Sequence, residues 1–308
     1  MKMSRQTKEI VKVVLFFVIV GLALTFYVIY PLNRTEAAMA RESDGSEDSG
    51  SDSLVLVNDP TPFLAAGLHA DTFRVEADGL TTLSCLYILP DSITTPDSVA
   101  GTVFLIPSEE TDRTAMLPMS SALVDSGFSV VTYDPRATGG STGEYHGEGR
   151  YEANDLEALL AWLVIRNRLI HPVTVVGGGL GADAALLAAL EESRIDRVIA
   201  WRPHLTTSRW LDRVAEREGW LWFPFRRTVM WFWYSLRSGY AAPYRDMEQL
   251  APVACPTVLV LPESGEDETV RRLRELSDDS LLTIKTTATA DFERAQETII
   301  GFIAQSRR

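Results

Sequence analysis

The stretch Val173–Leu190 constrains the fold more than any other part of the chain. It opens on Val173-Thr174-Val175-Val176, which is β-branched and mostly apolar. Gly177-Gly178-Gly179 follows, and Leu180 to Leu190 then reads almost entirely alanine and leucine. Stiff β-branched side chains suit a pleated strand and lose freedom in a helix, whereas Ala and Leu are among the best helix formers. The pattern is strand, tight turn, helix. A strand apolar on both faces must be covered from both sides, and a helix leaving its end returns the chain for a parallel neighbour. This predicts an α/β fold: a mostly parallel sheet with helices on both faces.

The flanking sequence repeats that logic. Thr72–Glu76 and Thr81–Leu89 read as a β-hairpin around Asp78-Gly79, and Val103–Ile106 as a short buried strand. Ala115–Ser126 reads as a helix stopped by Gly127, Phe128–Tyr133 as the next strand, and Tyr151–Val164 as the intervening helix. After Arg197–Trp201 the alternation breaks into residues 204–250, rich in arginine and aromatics. It resumes with a strand over Val253–Leu261 and closes with a helix over Phe292–Ile303.

Two loops carry a resemblance. Asp134-Pro135-Arg136-Ala137-Thr138-Gly139-Gly140-Ser141-Thr142-Gly143 resembles the α/β-hydrolase loop D-x-R-G-x-G-x-S-x-G, with Ala137 where glycine is common. Gly177-x-Gly179-x-Gly181 resembles the nucleophile elbow G-x-S-x-G, with Gly179 at the serine position. On these residues the chain from about Thr61 to Arg308 is similar to the α/β-hydrolase superfamily, nearest its membrane-anchored or secreted serine esterase and peptidase branch. The resemblance implies a helical cap or lid over 204–250 and a site at the elbow.

Acyl transfer at such a site needs a nucleophile, a base, an orienting acid and an oxyanion hole. Gly179 has no side chain with which to attack, and glycine adopts freely an elbow conformation that costs other residues about 1–3 kcal/mol. The loop to which the resemblance assigns the base, Thr286 to Asp291, contains no histidine. His69, His146, His171 and His204 all lie upstream and are expected in loop or surface roles. The acid position falls on Glu266 or Asp267. The oxyanion region reads Pro107-Ser108-Glu109-Glu110, in which proline has no donor and the carboxylates oppose a developing oxyanion. A ligand pocket is expected among Pro107, Ser108, Gly178, Gly179 and Leu180.

Ser141 and Asp183 are weaker nucleophile candidates. Turn chemistry and a helix-side polar position are their plainer readings, since no histidine is placed to activate either. Gly177, Gly179 and Ala182 also fit the dinucleotide fingerprint G-x-G-x-x-A. The next strand, however, ends in Arg202 and Pro203 instead of the acid that would hold a ribose. No cofactor is expected, and no Cys/His spacing points to a metal. Cys85 and Cys255 lie in or beside predicted strands and are expected as buried free thiols.

The N-terminal region reads differently. A basic tail over 1–12 precedes a span over 13–31, in which Val13 to Tyr30 is apolar and uncharged. As a helix that run is about 27 Å long, enough to cross a bilayer. Basic residues before it and acidic ones after it predict a cytoplasmic N-terminus and an extracytoplasmic C-terminal domain. A cleaved signal peptide ending at Ala38-Met39-Ala40 is the alternative, disfavoured because that site lies far beyond the apolar run. Residues 32–60 form an acidic linker, within which Glu42 to Ser53 has no apolar side chain. The net charge of −13 argues against nucleic acid as a partner. The expected partners are the lipid bilayer and an apolar or acyl small molecule or a protein. The reading favours an inactive, ligand- or partner-binding hydrolase-like domain over 61–308. An ester or amide hydrolase with a non-standard site is the alternative.

Overall fold

The computed structural model describes residues 5–29, 60–90, 99–109, 111–217, 227–232, 255–262, 268–276, 280–287, 292 and 296–305. Eight strands form one sheet: β1 (His69–Glu76), β2 (Thr82–Leu89), β3 (Thr102–Ile106), β4 (Ser129–Tyr133), β5 (Val173–Gly178), β6 (Arg197–Trp201), β7 (Thr257–Pro262) and β8 (Leu282–Thr287). Their order is β1-β2-β4-β3-β5-β6-β7-β8, antiparallel from β1 through β2 to β4 and parallel from β4 onward. The β1–β2 hairpin turns where the sequence predicts, with Asp78 Oδ1 accepting from Leu80 N at 3.1 Å and Thr81 N at 2.8 Å. An Asx side chain thereby does the work of a backbone turn.

Helices in the described chain are α1 (Arg5–Ile29), α2 (Thr61–Ala65), α3 (Leu117–Asp125), α4 (Arg150–Ile165), α5 (Leu180–Glu191), α6 (Thr207–Arg217), α7 (Glu268–Leu276) and α8 (Gln296–Gln305). The central strands β3, β4 and β5 are buried along their whole length. Alternate side chains feed two separate cores, as the pleat requires. Phe104, Ile106, Val131 and Val175 pack with α4 and α5 on one face. Val103, Leu105, Val130 and Val176 pack with α3 and α8 on the other. Cys85 and Cys255 are buried and free, as expected.

Several boundaries differ from the sequence reading. The helix expected from Ala115 starts as a 3₁₀ turn, Arg113–Met116, and becomes α-helical only at Leu117. Pro118 has no N–H to give and is tolerated only in a first turn, which puts the α-helical start there. Phe292, the expected start of the closing helix, lies in a turn with its ring against Trp201, centroids 6.1 Å apart, and the helix is described over Gln296–Gln305. The strand expected from Val253 begins at Thr257, and residues 253–254 lie outside the described residues.

The helix expected near the N-terminus is present as α1, and Val11, Val13, Val14, Leu15, Phe16, Val18, Ile19 and Leu22 along it are exposed. Among the described residues no helix is long and apolar enough to cross a membrane. The side chains of Phe17 and of residues 24–30 within the apolar run lie outside that description, as does the linker up to Asp59. Of the expected cap, α6 and residues 227–232 are helical, and Trp210, Leu211, Val214 and Met230 form a small core with Leu180 of α5. The rest of 204–250, including the Trp220–Phe225 aromatics, lies outside the described residues.

The strand order places the site. Winding reverses between β3 and β5, so the chain leaves their carboxyl ends in opposite directions, and a sheet of this kind has its crevice at that switch point. Gly177 and Gly181 hold the crevice floor together by contact. A Cβ at 177 would lie 2.2 Å from the Gly181 carbonyl oxygen, and one at 181 would lie 2.5 Å from that of Pro107. Both glycines are therefore required by space, independently of any chemistry at the turn.

Candidate functional site

The β5–α5 turn keeps the shape of an elbow. Gly179 has φ 52° and ψ −118°, a region that side chains rarely enter, and its N–H continues the ladder to the Trp201 carbonyl at 3.0 Å. Its own carbonyl accepts from Ala182 N and Asp183 N, which opens α5 at once. The first free N–H of that helix, Leu180 N, has no intrahelical partner and points into the crevice. It donates at 3.0 Å to Oε2 of Glu109, from the loop after β3. The Glu109 carboxylate is thus seated over the turn, 2.8 Å from where a Cβ on Gly179 would stand.

The other oxygen of Glu109 faces a histidine. His204 Nε2 lies 3.3 Å from Glu109 Oε1, and His204 Nδ1 lies 2.7 Å from Asp183 Oδ2. An imidazole between two carboxylates serves both only when both nitrogens carry protons. Burial opposes that charge, but hydrogen bonds to Asp183 and Glu109 outweigh it and push the His204 pKa up to about 9. Burial likewise pushes Glu109 upward, yet His204 and the Leu180 amide outweigh it and hold this carboxyl at about 2. The three groups form a buried carboxylate–imidazolium–carboxylate line with one net negative charge, beside a helix N-terminus that favours it.

Asp183 does more than orient the ring. It also accepts from His204 N at 3.1 Å and from Leu205 N at 2.8 Å. These bonds hold a loop in which Arg202 and Leu205 have φ of 47° and 69°. Left-handed backbone costs such side chains about 1–2 kcal/mol each, so the loop keeps its form only because its surroundings impose it.

The positions named from sequence fall out as follows. Pro107, Ser108, Gly178, Gly179 and Leu180 do converge: Ser108 Cβ lies 3.3 Å from the virtual Cβ of Gly179, and the Phe292 ring covers Gly178. Glu266 and Asp267 lie outside the described residues. Ser141 is buried away from the crevice, donating from Oγ to the Asp134 carbonyl at 2.6 Å and accepting from Ser84 N at 2.9 Å. Its hydroxyl is consumed by turn chemistry. His69 and His171 are exposed, the latter paired with Asp196 at 2.6 Å.

His204 lies in a loop, as the sequence reading expects, but it is buried there, which that reading does not foresee. It lies in the loop after β6, buried between two carboxylates, and not in the loop after β8 to which the resemblance assigns a base. A signal was present: Asp183 is the only charged residue in an otherwise alanine and leucine run, and it is fully buried. Such a carboxylate requires a partner.

Among the described residues no cluster of His, Cys, Asp and Glu is arranged to hold a metal ion. The Glu109, His204 and Asp183 side chains bond to one another and to the amides of Leu180, His204 and Leu205. A carboxylate on the helix N-terminus also opposes a dinucleotide pyrophosphate there, by like-charge repulsion.

The family of X-Pro dipeptidyl-peptidases (S15 family) matches residues 46–269. The structure is similar to the esterase Pf2001 of Pyrococcus furiosus (TM-score 0.60, 19% identity), with 80% of this chain and 93% of that one covered. It is similar to Est1E of Butyrivibrio proteoclasticus, solved with ferulic acid (TM-score 0.55, 13% identity; 76% and 98% covered). It is also similar to the enol-lactonase of Burkholderia xenovorans LB400 (TM-score 0.51, 16% identity; 75% and 100% covered). No curated protein sequence matches the chain.

Proposed function

This chain belongs to the X-Pro dipeptidyl-peptidase (S15) family and has the α/β-hydrolase fold, and from that premise we propose that it is a catalytically degenerate member. On this reading it uses the crevice as a ligand- or partner-binding module, for an apolar or acyl small molecule or for a protein. The observation that carries the reading is the Glu109 carboxylate on the Leu180 amide above a residue with no side chain. A hydrolase of this fold develops negative charge on an oxyanion beside that turn and stabilises it with N–H donors. Here the donor is already neutralised by an anion, and the turn carries no hydroxyl. Removing the reacting groups of a working triad costs about 10⁴- to 10⁶-fold in rate.

The second reading, an ester or amide hydrolase with a non-standard site, is favoured by the His204–Asp183 pair. A buried imidazole hydrogen-bonded to a carboxylate is the base-and-acid half of such a site. Incubating the full chain with a fluorophosphonate probe, a panel of chromogenic esters and an X-Pro dipeptide anilide separates the two. No labelling and no turnover above a heat-denatured control is expected. Turnover abolished by His204→Gln, or labelling lost on Ser141→Ala, would establish the second reading and remove the first.

We further propose that α1 anchors the protein in a bilayer with its N-terminus cytoplasmic and the domain outside. The support is the uncharged run Val13–Tyr30, the basic tail before it, and the row of exposed apolar side chains on α1. Retention in the membrane pellet after alkaline carbonate extraction is expected; release to the supernatant would contradict the anchor.

A further inference from the structure

We propose that the space above the elbow is a carboxylate-binding site which the chain keeps filled with its own Glu109, and that the ligand class of the crevice is a small carboxylate. This names a ligand for the site described above, and it rests on the non-hydrolytic reading only in that Gly179 supplies no nucleophile.

The receptor is built from parts that do not depend on its occupant. Leu180 N–H is positioned by α5, whose first turn starts from the Gly179 carbonyl. The His204 ring is positioned by Asp183, which binds both the ring and the backbone at 204 and 205. The two donors come from different elements, and each meets a different carboxylate oxygen, Oε2 at 3.0 Å and Oε1 at 3.3 Å. A donor for each oxygen, one of them cationic, is a complete two-point recognition of a carboxylate. With the Asp183–His204 pair neutral as a unit, the receptor accepts one anion without leaving charge uncompensated.

The occupant is different in kind. Glu109 is an unbranched side chain on a turn, and ordering such a side chain costs up to about 2 kcal/mol of rotamer freedom. Its backbone lies in the loop after β3, where Ser108, Glu109 and Gly179 are partly exposed, while its carboxylate is as buried as the His204 ring, each side chain 9% exposed. The missing side chain at 179 leaves the space a carboxylate uses, since a Cβ would stand 2.8 Å from the bound oxygen. As a tethered ligand Glu109 acts at an effective concentration of roughly millimolar or higher, so an incoming carboxylate must displace it. Glu109 is the gate of the site as well as its stand-in.

Thermal unfolding of the full chain in detergent tests this, with sodium formate titrated against sodium chloride at equal ionic strength. Glu109→Ala should lose stability in chloride and regain it saturably in formate, with a rise in Tm of about 3 °C or more. Wild type and Glu109→Gln, whose space stays filled, should show no saturable response, and adding His204→Gln to Glu109→Ala should abolish it. A folded Glu109→Ala that responds to formate no more than to chloride overturns the proposal. So does a response that survives His204→Gln. If Glu109→Ala fails to fold in chloride, its refolding yield decides: recovery with formate supports the site, and equal failure in both salts overturns it. Fluorophosphonate labelling would sink the non-hydrolytic reading and leave this titration standing, whereas a flat titration would sink the carboxylate site alone.

Discussion

The loop after β4 and the turn after β5 lie at the same end of the sheet, and both bury charge, but they resemble hydrolase loops in opposite ways. In the loop 134–143 the motif chemistry is intact. Arg136 holds Asp155 through Nε at 2.8 Å and Nη2 at 2.6 Å, reaches Asp78 at 3.2 Å and lies over the Tyr151 ring. Asp134 accepts from Arg113 N at 3.0 Å and Gly140 N at 2.8 Å. Burial opposes the charge on Arg136, and the carboxylates of Asp155, Glu152 and Asp78 outweigh it and push its pKa up. At the turn, by contrast, the backbone has the shape of an elbow, Gly179 carries no side chain, and the Glu109 carboxylate lies over it. A loop that supports the fold has no freedom to change its charges one at a time. A turn whose shape is set by glycine contacts needs no side chain at its apex to stay an elbow.

The largest effect that contrast predicts is at Arg136. Arg136→Ala leaves Asp155 buried without its cation and should cost about 3–5 kcal/mol in chemical denaturation. A loss below about 1 kcal/mol would reduce this network to the level of a surface ion pair and dissolve the contrast.

Next comes the pH dependence of the turn. His204 is raised from 6.5 to about 9, so its contribution is fully present below pH 6.5 and is lost as pH rises through 9. The loss should be about 3 kcal/mol across that window. Glu109 is lowered from 4.5 to about 2, so its contribution is present above pH 4.5 and fades as pH falls toward 2. Stability measured against pH should slope downward on the alkaline side in wild type and flatten in His204→Gln. Two parallel curves would mean the imidazolium is not held by its neighbours.

A smaller effect is expected at Gly179. Gly179→Ala forces a side chain into φ 52° and against Glu109, and should cost about 2 kcal/mol. Part of that cost should vanish in a Glu109→Ala background, and strict additivity would place the carboxylate elsewhere. The smallest effect has the opposite sign. Ala137 sits at φ 60° in the intact loop, so Ala137→Gly should stabilise by about 0.5–1 kcal/mol.

These residues also show how far the sequence could be read. The sheet, its parallel core and the hairpin were legible because side-chain periodicity and turn chemistry are local. That Gly179 stands where the resemblance puts a serine was legible for the same reason, from the residue alone. His204 and Glu109 were not legible as a pair, because their meeting depends on the reversal of winding between β3 and β5 and on the path of the loop after β6. The loop 134–143 was recognised by its pattern, but the partner of Arg136 sits on α4, nineteen residues from it in sequence. Distances along the chain do not reveal which carboxylate a guanidinium will find.

Asp183 has one further consequence. The same carboxylate steadies the imidazolium and fastens the backbone from which α6 sets out at Thr207. That helix rests on Leu180, the residue whose amide holds Glu109. Tilting α6 would therefore pull on both arms of the grip at once. The backbone that sets the pose of α6 is thereby shared with the grip on a space one carboxylate wide.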